Sequence, residues 1–148
     1  MPYANYLYHF TDQRNVESIR KHGLYSFAAI KAKLDLSVGS DFYPSSDNRS
    51  REIDYDKNLS NFIRLCGEQH HPMIRIAKNE NRIKEVAWLR MEFAEIVFRD
   101  HEVKFSNINA ARADATVDSN YSTFTQSFDN QREVLVRFHI PLSKIEFL

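Results

Sequence analysis

Apolar and polar positions alternate with a period of two in several short stretches of this chain, and each such stretch predicts a strand. Across residues 3–10, Tyr6, Tyr8 and Phe10 fall on one face and Leu7 and His9 on the other. Thr11 or Asp12 then offers a side-chain oxygen to cap a helix through Val16 and Ile19. That helix ends at Gly23, which can take the left-handed conformation a C-terminal cap needs, and Lys21 and His22 complement its dipole. The same alternation predicts strands over residues 62–66, 73–77 and 86–91. Residues 94–98 predict a short helix, residues 103–105 a further strand and residues 109–113 a helical turn. The clearest strand spans residues 133–140 (EVLVRFHI); Pro141 then starts a turn, and residues 145–148 are placed to pair at a sheet edge. Two polar stretches, 35–61 and 114–130, carry little periodicity, and loops of that length are more often functional than idle. Many strands mixed with few helices give an α+β domain.

Composition narrows the function. A chain of 148 residues, 43% hydrophobic and with 11 Phe and 7 Tyr, predicts one packed domain over residues 1–148. Its 20 basic and 20 acidic residues are spread evenly, nine of each sign up to residue 74 and eleven of each after it. Proteins that grip duplex DNA by neutralising phosphates usually carry an excess of Lys and Arg, so any nucleic-acid contact here is expected to be short and local. The lone Cys66 allows no intrachain disulfide and predicts a buried, inert thiol. No stretch reads as a secretory signal or membrane span, which makes the cytoplasm the expected compartment and a membrane partner unexpected. Three isolated glycines exclude a dinucleotide-binding G-x-G-x-x-G or a P-loop. His70 and His71 are adjacent, and no cysteine pair or H-E-x-x-H offers metal spacing, so no metal is expected.

Four segments, in order, resemble the DarT family of ADP-ribosyltransferases. The first is Leu7-Tyr8-His9-Phe10-Thr11 with Asn15-Val16-Glu17-Ser18-Ile19 and His22-Gly23-Leu24, similar to the family's Y-H-F-T, N-x-x-S-I and G-L. The second is Ser50-Arg51-Glu52-Ile53-Asp54, followed by Phe62-Ile63 and Pro72-Met73, where the family has S-R-x-L-D and a later N-x-x-M. The third is Trp88 and then Phe105-Ser106-Asn107-Ile108-Asn109-Ala110-Ala111, similar to W and F-x-x-T-N-A-A. The fourth is Gln131-Arg132-Glu133-Val134-Leu135-Val136 with Ile140-Pro141 and Ile145, similar to Q-A-E-V-L-V, I-P and I. The chain departs from the pattern at residues 106–109 and 126–130, within the part that would face the substrate.

The resemblance implies the ADP-ribosyltransferase fold: two small β-sheets packed together and flanked by helices, with NAD in the cleft between them under residues 35–50. It implies an enzyme that uses NAD as co-substrate to modify a base, thymine, in single-stranded DNA, as a toxin countered by a macrodomain antitoxin. Glu133 is the implied catalytic carboxylate. Breaking the glycosidic bond of NAD passes through an oxocarbenium-like ribose, which a neighbouring carboxylate stabilises. Arg51 matches the family's arginine for NAD contact and reaction, with Arg49 as its competitor, since a guanidinium can fork onto pyrophosphate or a base carbonyl. His9 and Thr11 match the motif that holds the nicotinamide ribose and amide, and Gly23 and Leu24 extend the cofactor-binding set. Asn109, Tyr121 and Phe124 are the candidate substrate-binding residues: the two rings would stack on a base, and Asn120 or Gln126 would read its edge. Trp88, Phe62, Tyr6 and Tyr8 are expected to pack the interior. Two alternatives stay open: the same fold acting on RNA, another base or protein, and a module that binds NAD or nucleic acid without turnover.

Overall fold

The computed structural model describes residues 5–26, 28–29, 59–69, 73–99 and 102–148. The elements run β1 (Tyr6–Asp12), α1 (Val16–His22), β2 (Leu24–Tyr25), β3 (Phe62–Cys66), α2 (Met73–Asn79), β4 (Val86–Glu92), α3 (Phe93–Val97), β5 (Val103–Ser106), β6 (Val117–Asp118), α4 (Ser122–Thr125), β7 (Glu133–Arg137), β8 (His139–Ile140) and β9 (Glu146–Phe147). Short 3-10 turns join β1 to α1 and β8 to β9. Among the described residues no helix is long and apolar enough to cross a membrane.

Seven strands form one antiparallel sheet in the order β6-β5-β7-β3-β1-β4-β9, and β2 pairs with β8 in a second, two-stranded sheet. The expected α+β class holds, with sheets of very unequal size. The large sheet is itself nearly two. β1 pairs with β4 through seven residues and β3 with β7 through five, whereas β1 meets β3 only at Tyr8 and Cys66. No further rung between them is paired among the described residues.

One face of the sheet carries Leu7, Ile63, Leu65, Leu89, Met91, Phe105, Val134 and Val136, which form the main core with Ile19 of α1, Leu24 and Ile140 of the small sheet, and Phe124 of α4. On the opposite face Leu135 belongs to a smaller cluster with Leu59 and Ala110. β7 is therefore covered on both sides, which is why it reads as a continuous apolar run. Val134, Leu135 and Val136 are fully buried, each contributing about 1.5–3 kcal/mol.

The junction after β1 is built by Asp12, whose fully buried carboxylate accepts from the Arg14 backbone N–H at 2.8 Å, the Arg14 guanidinium at 2.9 Å and the Lys84 N–H at 3.0 Å. The expected cap on α1 needs correction: Asp12 caps the 3-10 turn that leads into the helix, while Asn15, the N-cap of α1 itself, makes no side-chain capping bond. The Arg14 guanidinium, the largest influence, draws the Asp12 pKa down to about 2. α1 ends at Gly23 as expected, but in a positive-φ, extended-ψ conformation rather than the left-handed one. Its φ of +81° and ψ of −170° suit glycine alone, and a Cβ there would sit 2.6 Å from the Ile140 carbonyl oxygen.

Three expectations need correction. Residues 73–77 form the helix α2, not a strand. The strand expected over residues 133–140 breaks at Phe138, whose φ of +65° turns the chain from the large sheet into the small one. The polar stretch after residue 114 holds β6 and α4. The strand over 62–66 has the bounds expected, and β9 pairs with β4 at the sheet edge as expected.

Candidate active site

Glu133 opens β7, opposite Cys66 of β3 on one side and Ser106 of β5 on the other. Period-two geometry puts its side chain on the face away from the main core, together with Arg64, Cys66 and Leu135. There it is 3% exposed and its carboxylate is met by nitrogen donors. The Ala110 N–H donates to Oε1 at 2.8 Å. Arg64 donates from Nη2 to Oε1 at 2.8 Å, and from Nε to Oε1 at 3.2 Å and Oε2 at 3.1 Å. A carboxylate this buried needs such compensation, because leaving water unpaired is very costly for a charge.

Asn109 belongs to the same constellation. Its Oδ1 accepts from Arg64 Nη2 at 2.6 Å and from the Ala111 N–H at 3.0 Å, and its Nδ2 donates to Gln131 Oε1 at 3.4 Å. The turn after β5 thus presents the Ala110 N–H to the Glu133 carboxylate and the Asn109 side chain to the guanidinium paired with it. Ser106 fixes the start of that turn by donating from its hydroxyl to the Ile108 carbonyl at 2.6 Å.

His9 joins from the other half of the sheet. Next to the single β1–β3 rung, its ring Nδ1–H donates to the Arg64 carbonyl at 3.0 Å. That bond leaves Nε2 as the acceptor of a neutral imidazole, able to take a hydroxyl proton. Burial lowers the His9 pKa, against smaller opposing pulls from this hydrogen bond and from Glu133, and so favours the neutral form. His9 and Glu133 therefore meet through one residue, its backbone on one side and its guanidinium on the other.

The remaining candidates are placed differently. Thr11 is buried two residues along β1, with its hydroxyl accepting from Asn15 Nδ2 at 2.9 Å. Gly23 is buried against His139 and Ile140. The Leu24 side chain is spent in the main core, so only its backbone is left to meet a ligand. Phe124 is a correction. It is fully buried, stacked on Phe93 with centroids 5.8 Å apart, and has no face to offer a base. Tyr121 is 49% exposed and touches Phe98 edge-on. The Asn120 side chain accepts from the Ser122 N–H at 3.1 Å, while Gln126 is exposed. Trp88 is half-buried, edge-on to Tyr8 and Phe10, and Tyr6 lies under the Arg90 guanidinium. Arg51, Arg49, residues 35–50, His70 and His71 lie outside the described residues. Cys66 is buried, and burial pushes its thiol pKa well up, as an inert thiol requires. Among the described residues no group of three or more His, Cys, Asp or Glu is arranged to hold a metal.

Arg64 is the site residue that sequence reasoning missed. Its signal was a charge inside an otherwise apolar strand, FIRLC, where a buried partner is needed.

No protein-family model and no curated protein sequence matches the chain. Solved structures do. Thermus sp. 2.9 DarT in complex with ADP-ribosylated single-stranded DNA superposes with a TM-score of 0.75 at 14% identity, over 96% of this chain and 79% of that one. The same protein in complex with NAD+ gives 0.68 at 13% identity, over the same shares. Thermosipho africanus DarTG in complex with ADP-ribose gives 0.73 at 18% identity; 96% of this chain is covered, spanning 43% of the longer one. The chain therefore has the fold of the DarT-type ADP-ribosyltransferases.

Proposed function

We propose that this protein is an NAD-dependent mono-ADP-ribosyltransferase that modifies a base, thymine, in single-stranded DNA, and that it acts as a toxin countered by a macrodomain antitoxin. The observation that carries this reading is the seat of Glu133: a buried carboxylate at the head of β7, ion-paired with Arg64, whose backbone carbonyl also engages His9. The neighbouring structures support the same direction, since DarT proteins of this fold hold NAD+ and ADP-ribosylated single-stranded DNA.

In the proposed reaction the bond between the ribose C1′ and the nicotinamide nitrogen breaks, and nicotinamide leaves with the bonding pair. A ring nitrogen of the base forms the new bond to C1′ and loses its proton to solvent. Glu133 faces the positive charge that develops on the ribose, a role like that of the carboxylates in glycoside hydrolysis. His9, with Nε2 as acceptor, takes a ribose hydroxyl, and Thr11 completes that end of the NAD site. Arg51 clamps the pyrophosphate or the base carbonyl. Asn109 and Tyr121 meet the acceptor. The balanced charge implies few phosphate contacts, so affinity for an oligonucleotide should fall only shallowly with salt, at about 0.7 logarithmic units per phosphate neutralised.

The test is incubation with labelled NAD and separate pools of single-stranded DNA, RNA and protein, followed by mass spectrometry. ADP-ribose on thymine in DNA is expected. Label on protein alone, or NAD bound without nicotinamide release, would overturn the reading.

A further inference from the structure

We infer that Arg64 is the positioning residue of this site, setting the plane of the Glu133 carboxylate and reserving one of its oxygens for substrate. The inference rests on the reading of Glu133 as the carboxylate that faces the ribose. Arg64 stands opposite Leu135 in the β3–β7 ladder and reaches two rungs along it, so that the Nε–Nη2 edge of its guanidinium lies against Glu133. A planar fork of this kind fixes orientation as well as distance, which a lysine ammonium cannot do.

The two oxygens are not loaded equally. Among the described residues Oε1 accepts from the Ala110 N–H and from both Nη2 and Nε of Arg64, which exceeds its two lone pairs and holds it fast. Among the same described residues Oε2 accepts only from Arg64 Nε, which leaves a lone pair to meet a hydroxyl of the bound ribose. The bond from Nη2 to Asn109 Oδ1 stops the guanidinium rotating about this edge and ties the carboxylate to the turn that would face the acceptor. The Arg64 carbonyl at the same time orients His9. One residue thus contacts both groups that the family resemblance assigns to the NAD site, and it lies within a rigid strand, where aim is kept best.

The test follows nicotinamide release, which is read whether water or a base accepts the ADP-ribose. In Arg64→Ala, kcat should fall by about 100-fold, the loss expected of a misplacement near 1 Å, while KM for NAD stays within about threefold. Guanidinium chloride at about 20 mM, far below the molar concentrations that unfold proteins, should restore at least about tenfold by refilling the vacated fork. Arg64→Lys, with the charge but not the fork, should lie between Arg64→Ala and the wild type. Should Arg64→Ala fail to fold, Arg64→Lys carries the test alone through its fall in kcat at unchanged KM. A kcat within threefold of wild type, a loss confined to KM, or a folded Arg64→Ala that guanidinium does not revive would overturn the inference. Glu133→Gln is run in parallel. If it is inactive while Arg64→Ala is unimpaired, the inference about Arg64 falls alone; if it turns over like the wild type, the reading of Glu133 falls and takes the inference with it.

Discussion

Replacing Gly23 with alanine should cost this fold about 4 kcal/mol. Two penalties combine. The backbone at Gly23, with φ +81° and ψ −170°, lies in a region essentially closed to other residues, at about 1–3 kcal/mol. The new Cβ would sit 2.6 Å from the Ile140 carbonyl oxygen, a backbone atom held in the β2–β8 pair, and 2.6 Å from His139 Nε2. Relieving such overlap in a packed site costs a further 1–3 kcal/mol or so. With about 2.1 cal/mol/K of unfolding entropy per residue, the melting temperature of a 148-residue domain should drop by about 13 °C. Gly67→Ala is the control. Its Cβ would meet only side chains, Phe124 Cζ at 3.0 Å and Arg132 at 3.3 Å, with no positive φ, so about 1 kcal/mol and a drop near 3 °C are expected. Thermal melts by circular dichroism compare the two, and a Gly23→Ala protein that melts no lower than Gly67→Ala would refute the reasoning. The consequence reaches the site, because β8 continues the chain from β7, which carries Glu133.

Two other outcomes follow from the packing. Asp12 is held near pKa 2 against an ordinary 3.8, so its contribution, about 2 kcal/mol, is present above pH 4 and is lost as pH falls through 2. Asp12→Asn should therefore be less stable than wild type in denaturant titrations at pH 6, with the gap closing by pH 2; a gap that persists at pH 2 would contradict the assignment. Phe124→Ala should destabilise by about 3–5 kcal/mol as a core deletion, whereas Tyr121→Ala should leave stability within about 0.5 kcal/mol and weaken oligonucleotide binding. Equal melting temperatures for the two variants would contradict their placement.

Much of the fold was legible where burial imposes a pattern. β3 and β4 alternate because one face is buried in the core, β7 runs apolar because both of its faces are covered, and the stop at Gly23 follows from local chemistry. The failures have physical causes. Residues 73–77 (MIRIA) alternate over only five positions, too short a window to separate strand from helix. In the helix Ala77 is buried while Ile76 is 45% exposed. The break at Phe138 depends on a positive φ in an aromatic residue, which no hydrophobic pattern announces. Phe124 looked available because its neighbours are polar, yet α4 turns it onto Phe93. The site was half legible. The family resemblance singled out Glu133, Asn109 and His9, and the structure brings all three to Arg64. Arg64 itself sits 69 residues from Glu133 and 45 from Asn109, so nothing local linked it to them.

The central claim is that Glu133 carries the chemistry, and it is tested most directly by single-turnover nicotinamide release from NAD with a single-stranded DNA acceptor, comparing wild type with Glu133→Gln. Glutamine can keep the Ala110 and Arg64 bonds at Oε1 while replacing Oε2 with an amide nitrogen, so the variant should remain folded by circular dichroism. Release should fall by about 10²–10⁴-fold with NAD affinity little changed. A folded Glu133→Gln protein that releases nicotinamide within threefold of the wild-type rate would contradict the account.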